Sequence, residues 1–232
     1  NAVARILRYK HNFKGYIHLK VIPGASDAAI EDSMKLASAV SLNIETPGKK
    51  RFDLLSDKKD YMNDIVRPLN LMSKLTMQDQ RFSRVKCTTQ FIVGASDEPD
   101  SEIIESMFGI YRRLKFQRVY FSAYQKGLGH PDIPGEKRLL PNPQNIFMRE
   151  HRLYQTDFLI RRYGFKNEDI VFDKSGNLSL DKDPKQIWAD THPEFYPIKI
   201  NSADKEALLR VPGLGLDSVS RILKARRERK IS

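Results

Sequence analysis

The chain has 232 residues, enough for one large domain and a small one, with 40% apolar residues to build a core. Forty Lys+Arg against 29 Asp+Glu give a net charge of +11, which favours a polyanionic partner and says nothing of the fold. No apolar run approaches the ~20 residues of a membrane-spanning helix, and the single cysteine, Cys87, excludes an internal disulfide and a cysteine-only metal site.

In chain order, Val3, Ile6 and Leu7 give a helical pattern, and Arg5, Arg8, Lys10 and Lys14 break the apolar stretches too often for a signal peptide. A cytoplasmic location with no membrane partner is therefore expected. Four segments have strand periodicity: 15–22 (GYIHLKVI), 40–45 (VSLNIE), 88–93 (TTQFIV) and 118–124 (RVYFSAY). Cys87, next to Val85, Phe91 and Val93, reads as a buried strand residue. Between the strands, 28–39 places Ile30, Met34 and Ala37 at helical spacing with Ser26 as a cap. Segment 60–75 does the same with Met62, Ile65, Val66, Leu69 and Met72, and Pro68 bends or splits it. Segment 101–115 follows with Ile103, Ile104, Met107, Ile110 and Leu114.

Strands alternating with helices predict parallel βαβ units. Sorted by face, the strands set Tyr16, His18, Lys20, Ser41, Asn43, Glu45, Thr88, Gln90, Arg118, Tyr120, Ser122 and Tyr124 on one side and mostly apolar residues on the other. A parallel sheet covered on both faces reads as continuous apolar runs instead. The alternation predicts helices on the apolar face and a polar face lining an interior, as in a (β/α) barrel with a ligand cavity. A sheet with one face in water is the alternative. Four strands do not close a barrel, so further strands are expected in segments read as loop or upstream of Asn1. Two strand ends echo each other, IPGASD at 22–27 and IVGASD at 92–97; each passes through glycine towards a helix start whose amides suit a carboxylate or phosphate.

Past Tyr124, the Gly- and Pro-rich segment 127–143 reads as a long loop. A helix is expected over 144–163, mostly for packing, and another from Asp183-Pro184, with Asp as cap, Pro at the first position and Trp188 as anchor. Near the C-terminus two short amphipathic stretches flank Pro212-Gly213-Leu214-Gly215; Asn201 or Ser202 caps the first. Neither stripe is long enough to stand alone, so the two pack on each other. The glycines permit a tight turn whose amides can approach a phosphate. From Arg221 to Ser232 six cations face one carboxylate, a net +5.

The stretch 200–227, with PGLG at its centre, resembles the helix-hairpin-helix motif, which holds DNA backbone without reading sequence. The resemblance implicates Gly213, Leu214, Gly215 and Ser218 in DNA binding, with Arg221, Lys224, Arg226 and Arg227 adding charge. Asp217 stands where many members carry lysine, and its carboxylate repels phosphate. A purely structural αα-hairpin is the alternative.

GYIHLKVIPGAS, SLNIETP, TTQFIVGASDE, RVYFSAY, REHRLYQTDFLIRRYGF and DPKQIWA, in one order, resemble the radical S-adenosylmethionine proteins assigned to DNA modification or repair. The resemblance spans essentially the whole chain. It implies an α/β fold with an incomplete (β/α) radical-SAM-type barrel over 1–126, a linker and helical extension over 127–195, and a small all-α helix-hairpin-helix domain over 196–232. It implies S-adenosylmethionine and a [4Fe–4S] cluster as cofactors, DNA as partner, and leaves room for a partner protein. The cluster's CxxxCxxC loop is not in this sequence and is expected upstream of Asn1, so the chain as it stands makes no radical. By the resemblance, Asn43 and Glu45 meet ribose hydroxyls, Gln90 to Gly94 pack on adenine, Tyr120 and Ser122 contact adenine or substrate, and His18 and Lys20 face the same cavity, Lys20 towards the methionyl carboxylate. Structural roles for each are the alternative. Two other functions stay open: a non-catalytic DNA-binding protein on a barrel scaffold, and a cluster-independent hydrolase or lyase with Glu45 as general base beside Lys20 or His18.

Overall fold

A computed structural model describes residues 1–127, 129–137 and 144–231. The chain divides into two compact units, Asn1–Glu150 and His151–Ser232. No helix among the described residues is long and apolar enough to cross a membrane.

The first unit is mixed α/β. In chain order it holds α1 (Ala2–Arg5), β1 (His18–Lys20), α2 (Asp27–Leu36), β2 (Ala39–Ser41), α3 (Lys49–Phe52), α4 (Arg67–Gln78), β3 (Lys86–Val93), α5 (Asp100–Gly109), β4 (Arg118–Ala123) and α6 (Pro134–Lys137). The strands form one parallel sheet in the order β1-β2-β3-β4. Register sets Lys20 opposite Ser41, Ser41 opposite Thr88, and Gln90 opposite Tyr120. Directly opposed residues share a face, so one side of the sheet is polar from edge to edge. The other side is the core: Val40, Leu42, Cys87, Phe91, Val93, Val119 and Phe121 are buried, with Phe91 and Phe121 stacked 6.2 Å apart. Ile30 and Met34 of α2, Leu69 and Met72 of α4, and Ile103, Ile104 and Met107 of α5 are buried too. The sheet is open at β1 and β4 among the described residues.

Element ends depart from the sequence expectation in instructive ways. β1 has three residues rather than eight, although the backbone N–H groups of Ser38 and Ala39 reach back to the Ile17 carbonyl. β2 stops at Ser41, although the N–H groups of Leu42 and Ile44 still donate to the Thr88 and Gln90 carbonyls at 3.3 and 3.1 Å and Glu45 bridges Phe91. The expected 60–75 helix changes winding and does not break: a wide helical turn over Tyr61–Val66 runs straight into α4, with Pro68 just past the junction. Ser26 does cap α2, accepting from the Ala29 amide at 3.3 Å. The expected loop over 127–143 contains α6, and its residues 128 and 138–143 lie outside the described residues.

The division between the units falls within α7 (Asn145–Arg162). The second unit continues with α8 (Pro184–Thr191), α9 (Lys205–Arg210) and α10 (Leu216–Glu228). Asp183 caps α8, its carboxylate accepting from Lys185 N–H at 2.8 Å. Trp188 is buried and stacked on His192, with Phe165 and Phe195 edge-on. The cap of α9 is Asp204, accepting from the Ala207 amide at 2.7 Å, and not Asn201 or Ser202. Asn201 instead holds the C-terminal segment through both the N–H and the carbonyl of Ile231.

Candidate functional site

The polar face of the sheet carries a cleft of about 530 Å³, lined by His18, Lys20, Ser41, Asn43, Thr88, Thr89, Gln90 and Tyr120. Five of the eight residues expected to hold a cofactor therefore meet there: His18, Lys20, Asn43, Gln90 and Tyr120. Ser41 and Thr88 complete the floor. Strand periodicity places both on the polar side, and only the register shows that they stand opposite each other. Thr89, from the other face, accepts from the Ile44 amide at 3.0 Å, which ties the segment after β2 to β3. His18 Nε2 lies 2.9 Å from the Ser41 hydroxyl. Thr88 is only 7% exposed, and its hydroxyl has no hydrogen-bond partner among the described residues. A buried hydroxyl without a partner costs about 1–3 kcal/mol, so this one, at the floor of a cleft, is open to a water or a ligand atom.

Glu45 is not among the lining residues, yet it is coupled to them. Its backbone is left-handed, φ +66°, a conformation that costs a non-glycine residue about 1 kcal/mol. β3 enforces it: Glu45 N–H donates to the Gln90 carbonyl at 3.0 Å, and the Glu45 carbonyl accepts from Ile92 N–H at 2.8 Å. One carboxylate oxygen is buried without a hydrogen-bond partner among the described residues. Burial raises the pKa of this carboxyl above the usual range, against the opposing pull of the Lys20 charge, a hydrogen bond with Asn43, and Lys59.

Gly94 and Ser122 are placed differently. Gly94 takes a positive φ, +83°, at the end of β3, as Gly24 (+78°) does in the echoed segment. Its N–H donates to Glu98 Oε1 at 2.7 Å. Glu98 is buried, also accepts from the Ser96 hydroxyl, and lies 3.4 Å from Arg149. The anion expected at this turn is thus a carboxylate of the chain itself. Ser122 stands opposite Ile92 on the polar side of β4, outside the cleft lining. Beside Tyr120, the Arg118 guanidinium sits 5.5 Å above the ring centroid.

In the second unit, α9 and α10 pack through Leu208, Leu209 and Val219, with Ile200, Leu214, Leu216, Ile222 and Leu223 around them. Gly213 has φ +79° with open space where a side chain would project, so conformation alone calls for glycine. The turn is held from beneath: Lys185, buried, donates from Nζ to the Leu214 carbonyl at 2.6 Å and lies 4.8 Å from the Tyr163 ring centroid. Burial lowers the Lys185 pKa to about 8, with Asp183 opposing. Of the residues expected on DNA, Gly213, Ser218, Arg221, Lys224 and Arg227 are exposed. Leu214 and Gly215 are half-buried, the former in the apolar cluster. Arg226 is spent on the fold, donating to the carbonyls of Ile200 and Ala203. Asp217 is exposed in the first turn of α10, where the helix dipole favours it.

No protein-family model, curated protein or solved structure matches this chain.

The residues can be tested directly against the cofactors that the sequence resemblance implies. A nucleoside with an amino-acid tail fits the groups that line the cleft, a cation, amides, hydroxyls and an aromatic ring, with the Glu45 carboxylate beside them. An iron–sulfur cluster does not fit. No group of three His, Cys, Asp or Glu among the described residues could hold a metal. Cys87, the one thiol, is buried on the apolar face, and burial pushes its pKa up to about 12.

Proposed function

We propose that the polar face of the first unit binds S-adenosylmethionine and that the α9–α10 pair holds DNA backbone without reading sequence. In this reading the chain is the C-terminal part of a radical S-adenosylmethionine enzyme of DNA modification or repair, its sheet a portion of a (β/α) barrel wall and its last two helices a helix-hairpin-helix. What carries the reading is the pair of orphaned polar atoms, the Thr88 hydroxyl and one Glu45 oxygen, beside a cleft whose other walls are polar. Parallel strands that neighbour one another in chain order, with the apolar residues mainly on one side, support it further.

Each side chain has a task set by its chemistry. Lys20 supplies the cation for a methionyl carboxylate, Asn43 and Glu45 meet the ribose hydroxyls, Thr88 and Gln90 bond the polar edges of the ligand, and the Tyr120 ring offers a flat face to adenine. No radical step is assigned, because the cluster has no ligands in these residues. In the second unit the amides of the Gly213–Gly215 turn approach a phosphate, and Arg221, Lys224 and Arg227 add long-range attraction. Arg226 keeps its structural role.

Titration calorimetry with S-adenosylmethionine tests the first half. Asn43→Ala with Glu45→Ala is expected to weaken binding at least about tenfold, the loss of two or more polar contacts; unchanged affinity overturns the assignment. For the second half, Gly213→Val with Gly215→Val is expected to reduce duplex affinity and flatten its salt dependence, and an unaltered slope makes the pair a structural hairpin.

One observation favours a second reading. A buried carboxyl with a raised pKa near a lysine is also how a general base is prepared. Hydrolase or lyase turnover in air, without S-adenosylmethionine and abolished by Glu45→Gln, would favour that reading over the first.

A further inference from the structure

The N-terminal part of the first unit carries a second chemistry that the cleft does not use. From Asn1 to Ser26 the sequence has five Lys or Arg, two His and no Asp or Glu. Within the same stretch three rings stand in solvent: Tyr9 is 73% exposed, Tyr16 63% and Phe13 41%. One exposed ring needs no explanation, whereas three within eight residues call for one.

Tyr9 stands on the helical turn Ile6–Lys10, and Phe13 and Tyr16 on the loop that follows it, which is held in place. Arg8 donates from Nε to the Leu36 carbonyl at 2.8 Å and from Nη1 to the carbonyls of Phe13 and Gly15 at 2.6 and 2.9 Å. Phe13 N–H donates to the Leu7 carbonyl at 2.9 Å. The Phe13 ring lies across Gly15, so close that a Cβ there would sit 2.2 Å from it. Lys10 and Lys14 alternate with the rings; both are exposed, and neither is paired with a carboxylate among the described residues. The segment runs directly into β1, whose His18 and Lys20 line the cleft.

Flat rings alternating with uncommitted ammonium groups suit an unpaired polynucleotide, whose bases stack on rings while its phosphates meet lysines. A duplex keeps its bases stacked on one another and has no use for the rings. We propose that Tyr9, Lys10, Phe13, Lys14 and Tyr16 form a stacking platform for an unpaired DNA strand, which leads to the cleft at His18 and Lys20. This rests on the DNA reading above and deepens it, by naming the form in which the strand is presented.

Fluorescence anisotropy of the full chain with labelled oligothymidylate, and separately with duplex, tests the platform. Tyr9→Ala with Tyr16→Ala is expected to lose at least about tenfold for oligothymidylate and to leave the duplex affinity in place. Gly213→Val with Gly215→Val is expected to do the reverse. A glycine variant that keeps duplex binding while the tyrosine variant loses oligothymidylate removes the hairpin reading and keeps the platform. Lys10→Gln with Lys14→Gln, which touches no packing, is expected to lower the salt slope for oligothymidylate by about 1–2. The platform is overturned if oligothymidylate affinity and salt slope are unchanged in both the tyrosine and lysine variants. It is overturned equally if the tyrosine variant loses binding only to phosphatidylserine vesicles.

Discussion

Thr88 and Glu45 separate what stabilises the fold from what serves a ligand. Thr88 holds a buried hydroxyl with no partner, so Thr88→Val, nearly isosteric, should raise the stability of the unliganded protein by about 1 kcal/mol, or about 2–4 °C in a melting curve. The same change should weaken S-adenosylmethionine binding; a variant that is both more stable and fully competent would remove Thr88 from the site. Glu45 makes the matching argument through pH. Burial raises its folded-state pKa above the ordinary 4.5, so as pH climbs through that window the unfolded chain ionises first and stability falls. Ligand hydroxyls need the ionised acceptor, so affinity should rise over the same window. Glu45→Gln should flatten both trends, and stability that still declined with pH in that variant would place the titration elsewhere. Neither residue's state was legible beforehand. Strand periodicity gave their side of the sheet, while the left-handed turn at Glu45 and the missing partner of Thr88 depend on register with β3.

Between elements, the α9–α10 turn shows how far local pattern reaches. Both apolar stripes and the positive φ at Gly213 follow from the sequence, because they depend on residues close in the chain. The support from Lys185 does not, since that residue lies 29 positions before Leu214. Its consequence is measurable. With a folded pKa of about 8 against an ordinary 10.5, the folded state sheds the proton first, so the unfolded chain binds more protons between those values and stability rises with pH there. Lys185→Met should remove that rise; an identical rise in the variant would rule out Lys185 as its source. The same spacing argument sorts the arginines of α10. Arg226 looks like its neighbours in sequence, but it reaches back to the carbonyls of Ile200 and Ala203. Arg226→Ala should therefore cost about 1–3 kcal/mol of stability, whereas Arg221→Ala should leave stability alone and lower the duplex salt slope by about 1.

Across the whole molecule, alternation of strands and helices was enough to predict a parallel mixed α/β sheet with one polar face, because each βαβ unit is written in contiguous sequence. Strand lengths were not, since where a strand ends is decided by its neighbour across the sheet. Charge was legible in full, and its distribution is the molecule's largest asymmetry. The N-terminal 26 residues carry +5 and the last twelve another +5, leaving +1 for the 194 between. If attraction to DNA comes from these two segments, position must matter more than net charge. Five glutamines at Lys10, Lys14, Arg221, Lys224 and Arg227 lower the net charge to the same value as five at the exposed Lys58, Lys74, Lys86, Lys126 and Lys174. The first set should abolish most binding to single and double strands near 0.15 M salt, where charges beyond about 8 Å are screened. The second should leave both affinities close to those of the unmodified protein. Equal losses from the two sets would mean that the protein attracts DNA only as a diffuse cation, and neither terminal segment would then be a site.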